Sequence, residues 1–270
     1  MRRYLGMAIS SIIAITAAGS AIAADLPVKA RPAPVVTVYN WTGWYVGVNG
    51  GGGWAQDRSI IVYETSGGLP FTSGTWPGQG SVGSRNASGG FGGGQVGYNW
   101  QSDHWVFGLE ADIQGANISS SQGAVLPYIS GANTITLGVT EKLDWFGTAR
   151  GRIGYAWDRF MLYGTGGFAY GRTRSSLAMT DTFGFASFGA NNTTRAGYVV
   201  GAGGEYAFNP NWSVKLEYQY IDLGKGTINT PEFVGGVQSA FAVNNTTRYD
   251  YHTVRVGLNY KWNAPVVAKY

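Results

Sequence analysis

The chain holds two histidines, no cysteine and a thin scatter of carboxylates and cations set among 43 glycines. His104 stands in Ser102-Asp103-His104, a turn-forming triplet. His252 follows Tyr249-Asp250-Tyr251. A Ser-His-Asp hydrolase would need its serine on a strained elbow, and no Gly-x-Ser-x-Gly motif offers one. Glu110 and Asp112 are spaced to share one strand face, but with no substrate cavity in prospect they read as members of a charge network. Histidine and tyrosine are axial ligands of haem iron, so His252 with a loop tyrosine is a candidate haem site. Apart from that candidate no cofactor or metal is expected, and the chain reads as a non-enzyme. The runs SGGFGGGQVGYNW and YGTGGFAYG lack the strand-to-helix context of a phosphate-cradling loop and read as relief of crowding in curved strands.

The elements that carry these residues are strands. In WSVKLEYQYIDLG, Trp212, Val214, Leu216, Tyr218 and Tyr220 fall on one face and Ser213, Lys215, Glu217 and Gln219 on the other. The pattern recurs along the chain. Trp105, Phe107, Leu109 and Ile113 oppose Glu110 and Asp112; Leu143, Trp145, Ile153, Tyr155 and Trp157 oppose Lys142, Asp144, Arg150 and Arg152. Tyr198, Val200, Tyr206 and Phe208 oppose Arg195 and Glu205; Val254, Val256, Leu258, Tyr260 and Trp262 oppose Arg255, Asn259 and Lys261. Eight strands are expected near 43–54, 88–101, 105–115, 140–157, 159–171, 194–208, 211–224 and 248–262. Three connections are tight turns, at 102–104, 158–159 and 209–211. The other four, near 55–87, 116–139, 172–193 and 225–247, run to roughly 20–33 residues each, the short-and-long alternation of transmembrane barrels. Asn191-Asn192-Thr193-Thr194-Arg195 and Asn244-Asn245-Thr246-Thr247-Arg248 each lead from a long connection into a strand at one rim.

Aromatic placement decides which face meets lipid. Trp44, Trp100, Trp105, Trp157, Phe160, Phe208, Trp212 and Trp262 all fall on the apolar face, at strand ends beside the short turns or the chain ends. Rings at one level form an interfacial girdle, whereas a soluble core would spread them through its depth. Turning Arg150, Arg152, Lys215 and Arg255 to lipid instead would cost up to roughly 2–4 kcal/mol each near the midplane. Facing inward they can pair with Glu110, Asp112, Glu205 and Glu217 across the lumen. Bulky inward residues such as Phe146 and Tyr163 argue for a plugged barrel; inward glycines such as Gly93, Gly97 and Gly201 argue for room and a small porin. The expected fold is an all-β, eight-stranded antiparallel transmembrane barrel with short periplasmic turns and four long extracellular loops.

Residues 1–23 have a basic start at Arg2 and Arg3, an apolar stretch from Leu5 to Ala18 and small residues at Ala21-Ile22-Ala23, the features of a cleavable secretory signal. Removing them lowers the formal net charge from +4 to +2, too mild for a nucleic-acid partner. Residues 24–40, with Pro27, Pro32 and Pro34, read as an extended periplasmic linker, 41–262 as the barrel and 263–270 as a tail. Without cysteine an exported chain has no disulfides.

Trp41-Thr42-Gly43-Trp44-Tyr45-Val46-Gly47-Val48-Asn49-Gly50-Gly51 and Val254-Arg255-Val256-Gly257-Leu258-Asn259-Tyr260-Lys261-Trp262 resemble the ends of the small outer-membrane β-barrels of alphaproteobacteria. That family includes immunogenic surface proteins, opacity-like proteins and some haemin-binding members. The resemblance covers residues 24–262 and implies an outer-membrane location, with lipid, the barrel-insertion machinery, and host or environmental ligands at the loops as partners. Such barrels usually end on an aromatic residue; here Asn263 to Tyr270 follow Trp262, which departs from that pattern. The expected role is structural and surface-interacting, with a small porin or a haemin-binding surface protein as alternatives.

Overall fold

A computed structural model describes residues 38–55, 59–66, 69–70, 79–127 and 133–262. The expected signal segment, all but the end of the linker, and the tail lie outside the described residues. The strands are β1 (Gly43–Ala55), β2 (Ser59–Ser66), β3 (Leu69–Pro70), β4 (Gln79–Ser84), β5 (Ser88–Ser102), β6 (Trp105–Pro127), β7 (Thr134–Trp157), β8 (Phe160–Asp181), β9 (Phe185–Ala207), β10 (Trp212–Val234) and β11 (Val237–Lys261). Eight of them, β1 and β5 to β11, pair antiparallel in chain order, and β1 pairs with β11 to close the ring. Closure leaves no free edge at bilayer depth, where an unpaired backbone group has no water to bond. Strands β2, β3 and β4 pair among themselves, and β2 adds to β11 between Phe241 and Asn245.

The short turns follow from their residues. Asp103 and Asp158 adopt φ of 52° and 53°, the left-handed region that aspartate tolerates, and each begins a two-residue link between paired strands. At the third turn the Asn209 side chain accepts bonds from the backbone N–H groups of Asn211 (2.9 Å) and Trp212 (2.8 Å).

At the opposite end the strands run much further than the sequence pattern implied. Strands β6 and β7 pair out to Pro127 and Thr134, β8 and β9 out to Thr180 and Ala186, and β10 and β11 out to Val234 and Val237. Most of the residues expected in three long connections are therefore ladder. The cause is an inverted pattern. Ile135, Leu137, Val139, Leu177, Met179, Ile228 and Val243 point inward as an apolar cluster, while Thr136, Thr140, Ser176 and Thr180 face out. Apolar residues face out in the girdled zone and in above it, so a search for one constant polarity loses the strands.

Two bulges shift the phase as well. On β7 an extra residue at Asp144, between Leu143 and Trp145, places Glu141 and Leu143 inside and Lys142 outside. The faces expected for Leu143 and Lys142 are thus exchanged, because a bulge puts two residues opposite one and reverses every side chain beyond it. On β10 the same happens at Gly224, whose φ of 78° suits glycine.

Candidate functional site: a layered lumen between two aromatic belts

The inward side chains stack in layers. At the short-turn end Tyr39 and Trp41 fold beneath the barrel and pack with Val106, Ala156, Met161, Tyr163 and Ala207. Trp41 is only 1% exposed. Its backbone N–H donates to Gln101 Oε1 (2.7 Å) and its indole Nε1 to the Asp158 carbonyl (3.0 Å), while the Tyr39 N–H donates to Asp158 Oδ1 (2.7 Å). Lys261 bonds the Asn40 carbonyl and sits 4.1 Å from the Tyr39 ring centre. Burial pushes the Tyr39 hydroxyl above its ordinary pKa, which keeps it neutral. Nothing in the apolar periodicity marked Trp41 as a floor, because it precedes the first strand and stands within a motif of repeated aromatics.

Above this floor the structure brings together all eight charged residues named from the sequence. Lys215 Nζ donates to both oxygens of Glu110 at 2.8 Å. Arg150 reaches Glu217 (2.8 Å), Asp112 (2.9 Å) and Glu110. Arg255 donates to Glu217 from Nε (2.9 Å) and to Asp112 from Nη1 (3.1 Å). Arg152 pairs with Glu205 (3.1 Å) between the rings of Tyr45 (4.8 Å) and Tyr163 (5.3 Å). Every member is at most 6% exposed, so the low local dielectric makes each pairing strong and each orphaned charge costly. Neutral partners complete the layer: Tyr45 donates to Glu110 (2.7 Å), Tyr163 to Glu217 (2.7 Å) and Thr148 to Asp112 (2.7 Å). Tyr45 and Thr148 were not singled out in the sequence; their inward parity with Asn49 and Arg150 was the available signal.

Next comes an apolar layer of Phe91, Ile118, Leu143, Phe146, Val199, Ile221 and Leu223. Beside it Arg85 pairs with Glu141 (2.8 Å) and Asp250 (3.3 Å) and lies over Tyr251 (5.0 Å). Arg85 also donates to the Arg248 carbonyl (2.6 Å) on a stretch of β11 that neither β1 nor β2 reaches. Sequence spacing had assigned Arg85 to a long connection, where no periodicity applies.

Outside, Trp44, Trp100, Trp105, Trp157, Phe160, Phe208, Trp212 and Trp262 are all exposed, at the short-turn end of their strands or just beyond it. A second belt crosses the other end of the apolar wall: Trp145, Tyr170, Tyr198, Tyr220, His252 and Trp54. From Phe160 to Tyr170 the strand climbs about 25 Å at ~3.3 Å per residue and ~40° of tilt, the height of a barrel's lipid-facing band.

The match to known proteins agrees. The model of the outer membrane protein beta-barrel domain matches residues 12–261. The chain belongs to that family. A 31 kDa outer-membrane immunogenic protein of Brucella melitensis is 39% identical over 93% of this chain and 97% of its own length. A 22 kDa outer membrane protein of Rhizobium leguminosarum is 30% identical over 86% of this chain and 83% of its own. Among solved structures, outer membrane protein OprG from Pseudomonas aeruginosa aligns at 14% identity and a TM-score of 0.45, covering 84% of this chain and 99% of that one.

In this outer-membrane barrel the short turns lie at one end and the long hairpins at the other. His252 sits in the outer belt, outside the lumen. Its Nδ1 is 2.6 Å from the Tyr218 hydroxyl, and its ring stacks on Trp54 at 5.7 Å. The neighbouring tyrosines, Tyr218 and Tyr220, belong to strand β10. His104 stacks on Tyr155 at the first short turn (5.3 Å). Among the described residues no group of three or more His, Asp or Glu is disposed to hold a metal ion.

Proposed function

We propose that this outer-membrane barrel is a plugged, non-enzymatic scaffold that holds its long paired hairpins and their tips at the cell surface. The supporting observation is what occupies the inward glycine positions. A Cβ at Gly97 would lie 2.2 Å from Tyr45 Oη, one at Gly93 2.0 Å from the Ile113 carbonyl, and one at Gly201 2.4 Å from the Tyr218 carbonyl. These glycines admit neighbouring rings and strands, which favours a filled lumen over a channel. The Trp41 floor below the charge network and the apolar layer above it support the same reading.

On this reading the partners are the bilayer, the insertion machinery that folds the barrel, and host or environmental ligands at the hairpin tips. Exposed Phe183, Phe188, Phe233 and Val237 at two of those tips supply contact surface. The immunogenic label of the Brucella relatives fits such display. The haem reading of His252 has less support, since a ring stacked on Trp54 and bonded to Tyr218 at the bilayer boundary is what an aromatic belt contains. Refolded protein that passes the heat-modifiability gel test should be silent in a planar bilayer. Regular, reproducible channel steps would overturn the plugged reading in favour of a small porin.

A further inference from the structure

Directly above the outer aromatic belt the exterior becomes cationic on one side. On β8 the outward positions after Tyr170 are Arg172 and Arg174. Lys142 on β7 is the register partner of Arg174, and Lys225 on β10 is the register partner of Arg248 on β11. Between them β9 presents only Asn192 and Thr194 outward. Three carboxylates border the arc: Asp144 with Arg174 (2.6 Å), Asp222 with Arg248, and Asp250, the register partner of Asp222, with Arg85 (3.3 Å). Arg172 donates to Asn192 (2.7 Å). Among the described residues Lys142, Arg172 and Lys225 have no carboxylate partner. At comparable height on β6 the wall shows Asn117, Ser119 and Ser121, all uncharged.

The height matters. Arg172 and Arg174 lie about 5–10 Å beyond the Tyr170 ring level at the rise and tilt used above, within the headgroup region and clear of hydrocarbon. These cations belong to neither the lumen layers nor the tips, and a solvated surface would intersperse both signs around the wall. A cationic arc bordered by an aromatic belt complements an anionic headgroup, and forked guanidinium donors match phosphate oxygens.

We infer that the arc formed by Lys142, Arg172 and Lys225, flanked by Arg174 and Arg248, docks the phosphate-bearing headgroup of an outer-leaflet lipid. The lipid's chains lie against the apolar wall below, and its phosphates meet the three cations that lack a carboxylate partner. The partner is therefore a membrane lipid held at one side of the barrel.

The test uses the full chain refolded in zwitterionic detergent, with retained lipid counted by native mass spectrometry. The probes are a bisphosphorylated lipid A and the same glycolipid stripped of its phosphates. Wild type should retain the phosphorylated form preferentially. The variant Lys142→Gln/Arg172→Gln/Lys225→Gln should retain it about a hundredfold less well, from about fivefold per cation at a membrane surface. Ser119→Gln on the uncharged wall should match wild type. The heat-modifiability test confirms that each variant is folded; if the triple variant does not refold, Arg172→Gln and Lys225→Gln alone should each show the roughly fivefold loss. Equal retention of the two glycolipids by wild type, or unchanged retention by the folded variants, would overturn the inference.

Discussion

Removing one charge from the lumen should cost more than removing an oppositely charged pair. Glu217 accepts from Arg150 (2.8 Å), Arg255 (2.9 Å at Nε), Tyr163 (2.7 Å) and Gln219 (2.7 Å). In Glu217→Met the layer keeps Arg150, Arg152, Lys215 and Arg255 against Glu110, Asp112 and Glu205, leaving an excess buried cation; we expect a loss of about 3–5 kcal/mol. Arg255→Met strands an anion instead and should cost a similar amount. The double variant restores balance. Asp112 retains Arg150 (2.9 Å) and Thr148 (2.7 Å), and Glu110 retains Lys215 (2.8 Å). What stays unmet is the donors of Tyr163 and Gln219 and the Arg150 Nη1 group that bonded Glu217, at about 1 kcal/mol each. The double variant should therefore lose about 3 kcal/mol where simple addition gives about 6–10. Urea titration of refolded protein, followed by gel mobility of unheated samples, measures all four corners of the cycle. Costs that add to within about 0.5 kcal/mol would show that Glu217 and Arg255 do not share a network.

Two further substitutions test the floor and the glycine positions. Trp41→Ala should destabilise the folded barrel by about 3–5 kcal/mol in the same titration, since it empties a fully buried site and removes the indole bond to Asp158. Gly97→Ala forces Tyr45 away from Glu110 and should cost about 1–3 kcal/mol, while Gly138→Ala, whose Cβ would have nothing within 4 Å, should be nearly neutral. Equal effects at the two glycines would contradict the packing account.

The parts of the site legible in the sequence share one property: strict alternation within the bilayer zone. Lys215 and Glu217 alternate with Val214, Leu216 and Tyr218, and polarity contrast is greatest where one face meets lipid and the other a buried charge layer. Tight turns were equally plain, because Asp103, Asp158 and Asn209 carry backbone geometry in their own side chains. Trp41 and Arg85 were not legible. Each works from outside the regular ladder, Trp41 before β1 and Arg85 between β4 and β5, so no period reports where its side chain goes. The inward glycines were visible but ambiguous: composition records a missing side chain, and only three dimensions show that Tyr45 and neighbouring strands occupy the space.

The hidden extent of the strands has a physical explanation that also bears on what the hairpins do. Within the bilayer the outer wall must be apolar; above it the same wall meets water, so polarity has to reverse along a continuous strand. β7 and β10 change phase with an added residue at Asp144 and Gly224, each beside the outer belt, at Trp145 and Tyr220. β8 changes without a bulge, passing from Phe168 and Tyr170 to Arg172 and Arg174 on its outer face and reaching Leu177 and Met179 on its inner face. Backbone pairing continues through the change between β7 and β8, β8 and β9, and β10 and β11, whereas β9 and β10 part between Asp222 and Phe233. The long hairpins are therefore extensions of the barrel wall around their own apolar core. Sequence changes at the tips can therefore leave the ladder that supports them intact.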